Sequence, residues 1–471
     1  MPGYLDIAEQ LAALIDKRVL RSGDRVPSVR RATRSHHVNP GTILRAYREL
    51  EARGLIEARP RSGYFVRAPV LRELPRPAPS HPASKSTDVR TDDLIVEVVH
   101  SMARPHVIGL GVAILSPDLL LNEDLRRAAA RAARRLKPSK VILGLPPGDP
   151  ALRRLIAKRY IETGCATDDA DVVIMSGGRE AVVLALRALT KPGDTVAIES
   201  PNGWPLLAAL AGLGLRAQEI PTDSQTGIDL AALEQAFRSR SIAACLVQPS
   251  FQNPLGSRMP DENKRLLLRL AIRYDIPLIE DDRVSDLYLD GDRPRALKAF
   301  DRTDFVVHCG SLATCVTPAF KIGWIISGRY RAQVEKTKML LSLSTSPGDQ
   351  AIMAEYLAHH PIERHYRRLR LAVSARRDAM ITAISREFPA ECRMTHPTGG
   401  FVLWVEMPKD VQSLKLYRLA LDKGVCIGPG PIFSARHGYQ NCVRLVFGYA
   451  SIEQIQQGIR TIAELIPDAC S

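Results

Sequence analysis

The chain has 471 residues, of which 25% are charged, and its net charge is +14 at pH 7. This length predicts two or three domains with packed cores. The chain has no run of about 18 apolar residues and no charged N-terminal segment followed by an apolar core, which argues against a membrane span and a secretion signal. The eight cysteines are scattered without zinc-like spacing, which indicates reduced thiols in a cytoplasmic protein.

The N-terminal part of the chain is unusually basic. Residues 1–70 contain 13 Lys and Arg against 7 Asp and Glu. A basic module of this size favours a polyanionic partner, with nucleic acid first. A surface that is merely basic is the alternative that charge alone leaves open.

Residues 1–67 predict three helices and a β-hairpin. The elements are a helix over Tyr4–Arg18 with an apolar stripe, a short helix from Pro27, a helix over Thr42–Arg53, and two short strands around the basic loop Arg59–Gly63. This order is typical of a winged helix-turn-helix. Its third helix would enter the major groove of DNA, and its wing would approach a phosphate or the minor groove.

Residues 68–92 contain five prolines among Ser, Ala, Arg and Lys, without an apolar period. This composition predicts a semi-extended linker. The two domains on either side are therefore expected to change their relative positions.

Residues 93–471 predict an α/β fold, a mostly parallel sheet between helices, because helical stretches alternate with short apolar strands. The predicted helices are Glu123–Leu136, Pro150–Glu162, Glu180–Leu189, Leu230–Arg238 and Asp261–Tyr274. The predicted strands are Asp171–Met175, Thr195–Glu199, Ala243–Gln248, Pro277–Glu280, Phe305–His308 and Ile322–Ile326. After about residue 350, a long helical region leads into a small C-terminal α+β domain.

Three segments of the basic module, Gly23–Arg30, Asn39–Glu51 and Arg59–Val66, resemble the DNA-binding domain of GntR-family regulators. The resemblance implies a double-stranded DNA operator as partner. It also implies which residues meet DNA: Arg30, Asn39, Thr42, Arg45, Arg61, Ser62 and Gly63. A winged helix used only for protein contacts is the alternative interpretation.

The rest of the chain is similar to the aminotransferase-like body of the MocR subfamily of those regulators. The similarity lies in Gly148–Arg153, Ser176–Gly178, Glu199–Pro201, Gln252–Gly256, Glu280–Asp282, Gly399–Phe401 and Arg444. The resemblance implies a fold-type I aminotransferase-like domain, a homodimer and pyridoxal phosphate (PLP) as a possible cofactor.

The segment Gly310–Trp324 departs from that family at its most important position. It is laid out like the loop that carries the PLP-binding lysine, but Thr314 stands where the lysine is expected. A threonine has no amine to bind the aldehyde covalently or to move protons on a substrate. No covalent link to PLP is therefore expected at Thr314, and the domain is expected to recognise a ligand rather than to react with it.

The resemblance also implies which residues line the ligand pocket. Asp281 stands where the pyridine nitrogen is bound, Asn253 where the ring hydroxyl is met, and Arg444 where a substrate carboxylate is held. Gly177, Gly178 and Ser311 stand at the phosphate position. The departures beside Thr314 are Arg179, Arg283 in place of a tyrosine, Lys321 in place of an arginine, and Gly203 in place of a stacking aromatic residue, next to Trp204.

These interpretations together predict a homodimeric transcriptional regulator that senses a small, anionic effector without catalysis. Four alternatives stay open. PLP binds without a covalent bond; another lysine, Lys321, replaces the missing one; the pocket only supports dimerisation; or the protein is a working aminotransferase.

Overall fold

The computed structural model describes residues 3–16, 20, 24–59, 62–66, 73–89, 93–101, 104, 106–120, 123–136, 144–165 and 167–470. The chain divides into two compact units, Met1–Glu73 and Leu74–Ser471, called here the small and the large unit.

The small unit is a winged helix. Its helices are α1 (Tyr4–Asp16), α2 (Val29–His36) and α3 (Pro40–Ala52), and its strands β1 (Ile56–Arg59) and β2 (Gly63–Val66) form an antiparallel hairpin. The helices and the hairpin share one buried apolar core that includes Ile7, Ile43, Tyr47 and Val66. The predicted architecture of this unit is confirmed.

The large unit is built on a sheet whose strands follow the order β3-β7-β6-β9-β10-β11-β12-β5, with β8 paired to β7. The strands are β3 (Thr87–Asp88), β5 (Val172–Met175), β6 (Thr195–Ser200), β7 (Arg216–Asp223), β8 (Gly227–Ile228), β9 (Ile242–Val247), β10 (Leu278–Asp281), β11 (Val306–Ser311) and β12 (Gly323–Ile326). Five neighbouring strands, β7, β6, β9, β10 and β11, run parallel to one another. Strand β12 is antiparallel to both of its neighbours. The predicted α/β class is confirmed.

Helices cover both faces of this sheet because its strands are apolar on both sides. One face packs against α8 (Gly178–Leu189) and α9 (Trp204–Gly212), and the other against α10 (Leu230–Arg238) and α11 (Asp261–Tyr274). The remaining helices before the C-terminal part are α4 (Asp93–Ser101), α5 (Pro117–Leu120), α6 (Glu123–Arg135), α7 (Pro150–Ile161), α12 (Arg331–Leu341) and α13 (Pro347–His359). No helix in the described ranges is both long and apolar enough to cross a membrane.

The C-terminal part is the predicted smaller α+β region. It comprises α14 (Ile362–Glu387), α15 (Ser413–Asp422), α16 (Ile452–Leu465) and a sheet of β13 (Arg393–Met394), β14 (Val402–Glu406), β17 (Cys442–Val446) and β16 (Gly428–Pro429). A short strand, β15 (Val425–Cys426), pairs in parallel with β4 (Ile108–Gly109). Arg444 stands in β17 opposite Trp404 of β14.

The proline-rich segment differs from the free linker expected over 68–92. From Leu74 on it belongs to the large unit. Leu74 is buried, and the Ser80 hydroxyl donates to the carbonyl of Ser200 at 2.6 Å and accepts from the backbone N–H of Thr222 at 3.0 Å. The segment then adds β3 to the edge of the sheet beside β7. Residues 67–72 and 90–92 lie outside the described residues.

Candidate functional site

The predicted DNA-binding residues that the structure describes lie near the start of α2, at the start and in the middle of α3, and in the hairpin. Arg30 near the start of α2 and Arg45 on α3 are exposed, as are Ser62 and Gly63 in the wing. Cations on a recognition helix and a wing can neutralise phosphates. Gly63, the first residue of β2, has φ +99°, a left-handed conformation that favours glycine.

Asn39 and Thr42 are held together at the start of α3. The Asn39 Oδ1 accepts from the Thr42 backbone N–H at 2.8 Å and from the Thr42 hydroxyl at 3.0 Å. Asn39 is therefore the N-cap of this helix, before Pro40. The predicted contact residue Arg61 lies outside the described residues.

The large unit contains a cavity of about 160 Å³. It lies where β6, β9 and β10 end, and the carboxyl ends of parallel strands are where open α/β sheets bind ligands. Five of the predicted site residues line it: Arg179, Asn253, Arg283, Thr314 and Arg444. The other lining residues are Val112, Ala113, Ile114, Trp204, Pro205, Gln248, Phe251, Val284, Gly400, Phe401 and Val402.

At one end of this cavity, called here the Asp281 end, an aspartate and an arginine form a closed ion pair. Arg283 Nε donates to Asp281 Oδ1 at 2.6 Å, and Arg283 Nη2 donates to Oδ2 at 2.5 Å. Side chains two residues apart at the end of a strand point to the same side, which lets the two groups meet. Both Asp281 oxygens are thereby engaged within the chain.

The predicted phosphate position does not line the cavity. The aliphatic part of Arg283 lies over Gly178, where an added Cβ would sit 2.2 Å from Arg283 Cδ. The Ser311 hydroxyl donates to the carbonyl of Ile322 and accepts from the N–H of Ala313. Lys321 is exposed, and its Cβ lies 3.9 Å from the place of a Cβ on Gly177.

At the other end, called here the Arg444 end, a fully buried arginine has only neutral partners. Arg444 Nη1 donates to Asn253 Oδ1 at 3.1 Å, and Nη2 donates to the carbonyl of Gly111. Within the described residues, Arg444 Nε has no hydrogen-bond partner and no carboxylate forms an ion pair with this side chain. Burial lowers the pKa of Arg444 to about 9, because the charged form is poorly solvated there.

Thr314 is half-buried in the wall of the same cavity. Its hydroxyl can donate or accept one hydrogen bond, but it is no base and forms no imine. The chain therefore places no amine from this position at the cavity.

Arg179 is a further cation at this cavity. Its guanidinium stacks on the Trp204 ring at 5.5 Å from the ring centroid. Burial and the nearby charge of Arg283 lower the pKa of Arg179. Two like charges that face one space are stabilised when an anion enters it.

Glu199 is a further candidate site residue, to which the sequence alone gave no role. It lines a smaller cavity next to Asp281, Arg283 and Asn253. Burial and the negative charge of Asp281 raise the pKa of Glu199 to about 8. The hydrogen bond that the backbone N–H of Gln248 donates to Glu199 acts in the opposite direction. We therefore expect Glu199 to hold its proton more tightly than a free carboxyl does. The sequence held one signal for this residue, its position near the end of an apolar strand, because an acidic side chain at such a position is expected to be buried.

These positions do not fit PLP. The carboxylate that would hold a protonated pyridine nitrogen is bound on both oxygens by Arg283. The face of Gly178, which would lie open to a phosphate, is covered by the same side chain. A pyridinium cation could reach Asp281 only by displacing a guanidinium of equal charge.

Two family models match the chain. "Bacterial regulatory proteins, gntR family" matches residues 3–66, and "Aminotransferase class I and II" matches residues 105–462. Together they account for both units.

Similar proteins match this chain along nearly its whole length. The chain is 34% identical over 468 residues to the uncharacterized HTH-type transcriptional regulator YdcR of Escherichia coli K12, covering 99% of this chain and 100% of that one. It is 32% identical to YjiR, a protein of the same description and organism, over 99% of each chain.

A solved structure supports the same assignment for the large unit. The α-aminoadipate aminotransferase LysN of Thermus thermophilus, complexed with N-(5'-phosphopyridoxyl)-L-leucine, matches 81% of this chain and 96% of its own with a TM-score of 0.73 at 26% identity. The order of the two domains and the end-to-end similarity to named regulators show that this chain belongs to the MocR subfamily of GntR-type transcriptional regulators, which join a winged helix to an aminotransferase-like domain.

Proposed function

We propose that the large unit senses a small anionic ligand without amino-group chemistry, and that the small unit passes this signal to a DNA operator. The observation that carries the proposal is Thr314 in the wall of a cavity that also holds three guanidinium groups. An aminotransferase needs an amine at that position for its covalent step. A binding site needs only complementary charge, which the arginines supply.

Substitution of the lost lysine by Lys321 is poorly supported. Lys321 is exposed and is absent from the lining of the cavity. A working aminotransferase would need such a substitute. Binding of an anionic ligand is therefore the function that these positions support best.

Dimerisation through the large unit is part of the proposal. A run of exposed apolar side chains lies at the end of α12, where Leu340 is 75% exposed, Leu341 47% and Leu343 55%. A contiguous apolar patch of this kind supports a protein interface. A two-fold dimer would present two winged helices to paired operator half-sites in the cytoplasm.

The experiment for the DNA-binding part uses the full-length protein and fragmented genomic DNA of the source organism. Fragments retained by the wild-type protein are sequenced, and retention is repeated with Arg30→Ala and Arg45→Ala and with the control Arg302→Ala, an exposed arginine of the large unit. We expect discrete enriched sites for the wild type and the control, and a loss of at least about tenfold in affinity for the two variants. Retention without enrichment of any sequence would contradict a regulator.

A further inference from the structure

The cavity carries more positive charge than the chain neutralises. It is lined by three guanidinium groups, those of Arg179, Arg283 and Arg444. Asp281 neutralises Arg283. Among the described residues, no carboxylate lies within ion-pair distance of Arg179 or Arg444, so two positive charges stay uncompensated.

The charge at the Arg444 end is the more costly of these two. Arg444 is 0% exposed, and its Nε has no hydrogen-bond partner within the described residues. A buried charge without a counter-ion is strongly unfavourable, whereas a guanidinium that binds a carboxylate is a strong, often two-pronged interaction. A carboxylate of the ligand would therefore stabilise the charge at this end.

The other end is closed to a cofactor ring and open to a second acid group. Arg283 binds both oxygens of Asp281 and fills the space over Gly178. The Arg179 guanidinium lies at the same cavity, over the Trp204 ring. The ion pair of Arg283 and Asp281 carries no net charge. An anion that approaches Arg179 therefore meets no net repulsion from this pair.

The size and the walls of the cavity restrict the rest of the ligand. A volume of about 160 Å³ is close to that of an engineered cavity of about 150 Å³ that holds benzene. Apolar side chains form much of the wall of the cavity: Val112, Ala113, Ile114, Phe251, Phe401 and Val402. A short hydrocarbon body fits these walls.

We propose that this cavity binds a short, unphosphorylated dicarboxylate directly, with one carboxylate on Arg444 and the other on Arg179, while Arg283 occupies the place of the cofactor ring. The proposal rests on the anion-sensing function above and names its ligand class. It assigns Arg283 the role of a built-in cation that keeps Asp281 satisfied without a pyridinium.

The test measures thermal unfolding of the full-length protein with succinate, glutarate and adipate. The matched monoacids butyrate, valerate and hexanoate, and separately PLP and inorganic phosphate, serve as comparisons. We expect at least one dicarboxylate to raise the midpoint by more than about 2 °C, and the monoacid of equal length to raise it by less than half as much.

Variants locate the binding. Arg444→Met and Arg179→Met should each remove the difference between diacid and monoacid, and the exposed control Arg302→Met should keep it. Equal shifts with diacids and monoacids, shifts with PLP or phosphate alone, no shift at all, or a response retained in both cavity variants would each overturn the inference. The same preparation is tested on DNA, since loss of the diacid response with intact DNA binding overturns only this inference, whereas absence of DNA binding overturns the regulator itself.

Discussion

The two ends of the cavity hold the same kind of side chain in opposite circumstances. At the Asp281 end, Arg283 has a carboxylate two residues away and binds both of its oxygens. At the Arg444 end, a fully buried guanidinium meets only an amide oxygen and a backbone carbonyl. The charge of Arg283 is neutralised when the chain folds, whereas we propose that the charge of Arg444 is neutralised only when an anion binds. We therefore propose that the Asp281 end is structural and that the Arg444 end binds the ligand.

The largest effect is expected from breaking the pair at the Asp281 end. Asp281→Asn leaves a largely buried Arg283 without its counter-charge, which we expect to lower the free energy of unfolding of the large unit by about 3 kcal/mol. All three tryptophans, Trp204, Trp324 and Trp404, lie in that unit, so their fluorescence during urea denaturation follows it.

Asp292→Asn is the matched control for this substitution, because Asp292 is exposed and the same change should cost less than about 0.5 kcal/mol there. A loss equally small at Asp281 would show that the pair is not a structural element.

A second effect, smaller and dependent on pH, is expected at Glu199. Burial, with Asp281 nearby, raises the pKa of Glu199 from 4.5 to about 8. The folded state thus holds this proton more tightly than the unfolded state does, so the stability it contributes is complete below pH 4.5 and is lost as the pH rises to 8. Glu199→Gln cannot ionise. We expect the wild type to lose about 2 kcal/mol more than this variant between about pH 6.5 and about pH 8.5.

The exposed Glu464 gives the control for Glu199, and Glu464→Gln should follow the wild type at both pH values. Parallel pH profiles for Glu199→Gln and the wild type would show that Glu199 is ionised, and the Asp281 end would then carry two carboxylates for one arginine.

The smallest effect on stability is expected at the Arg444 end. Arg444→Met removes two hydrogen bonds and an uncompensated buried charge together, so the free energy of unfolding in the absence of ligand should change by less than about 1 kcal/mol. Urea denaturation followed by tryptophan fluorescence measures it beside Asp281→Asn. A loss as large as that of Asp281→Asn would erase the contrast between the two ends.

Regular parts of the fold were predictable because their patterns are local. The helices Leu230–Arg238 and Asp261–Tyr274 have the bounds predicted from their periodicity. The helix Trp204–Gly212 and the strand Arg216–Asp223 were missed. The helix is apolar without a period, and the strand buries Glu219, which is satisfied by the hydroxyl of Ser200.

The segment after Leu74 shows the same limit of local patterns. Its proline content indicates an extended chain, but whether that chain is free depends on what it meets. Ser80 binds Ser200 and Thr222, which are more than 100 residues away in sequence. No pattern within the segment carries that information.

Which residues belong to the candidate site was predictable, but how they are arranged was not. Thr314, Arg179, Asn253, Arg283 and Arg444 were named from the family resemblance, and all line one cavity. The resemblance also placed Gly178 and Ser311 at a phosphate, although Arg283 covers the first and backbone groups engage the second. Arg283, which stands where the resemblance implies a tyrosine, pairs with Asp281 through its charge and covers Gly178 with its long side chain.

The central claim is that the large unit recognises a ligand without binding PLP covalently. The most direct measurement is peptide mass mapping of the protein as purified from cells, after borohydride reduction. The segment Gly310–Trp324 contains one lysine, Lys321. The account predicts that the peptides from this segment appear at their unmodified mass. Stoichiometric attachment of the cofactor to Lys321, or to any other lysine of the large unit, would contradict it.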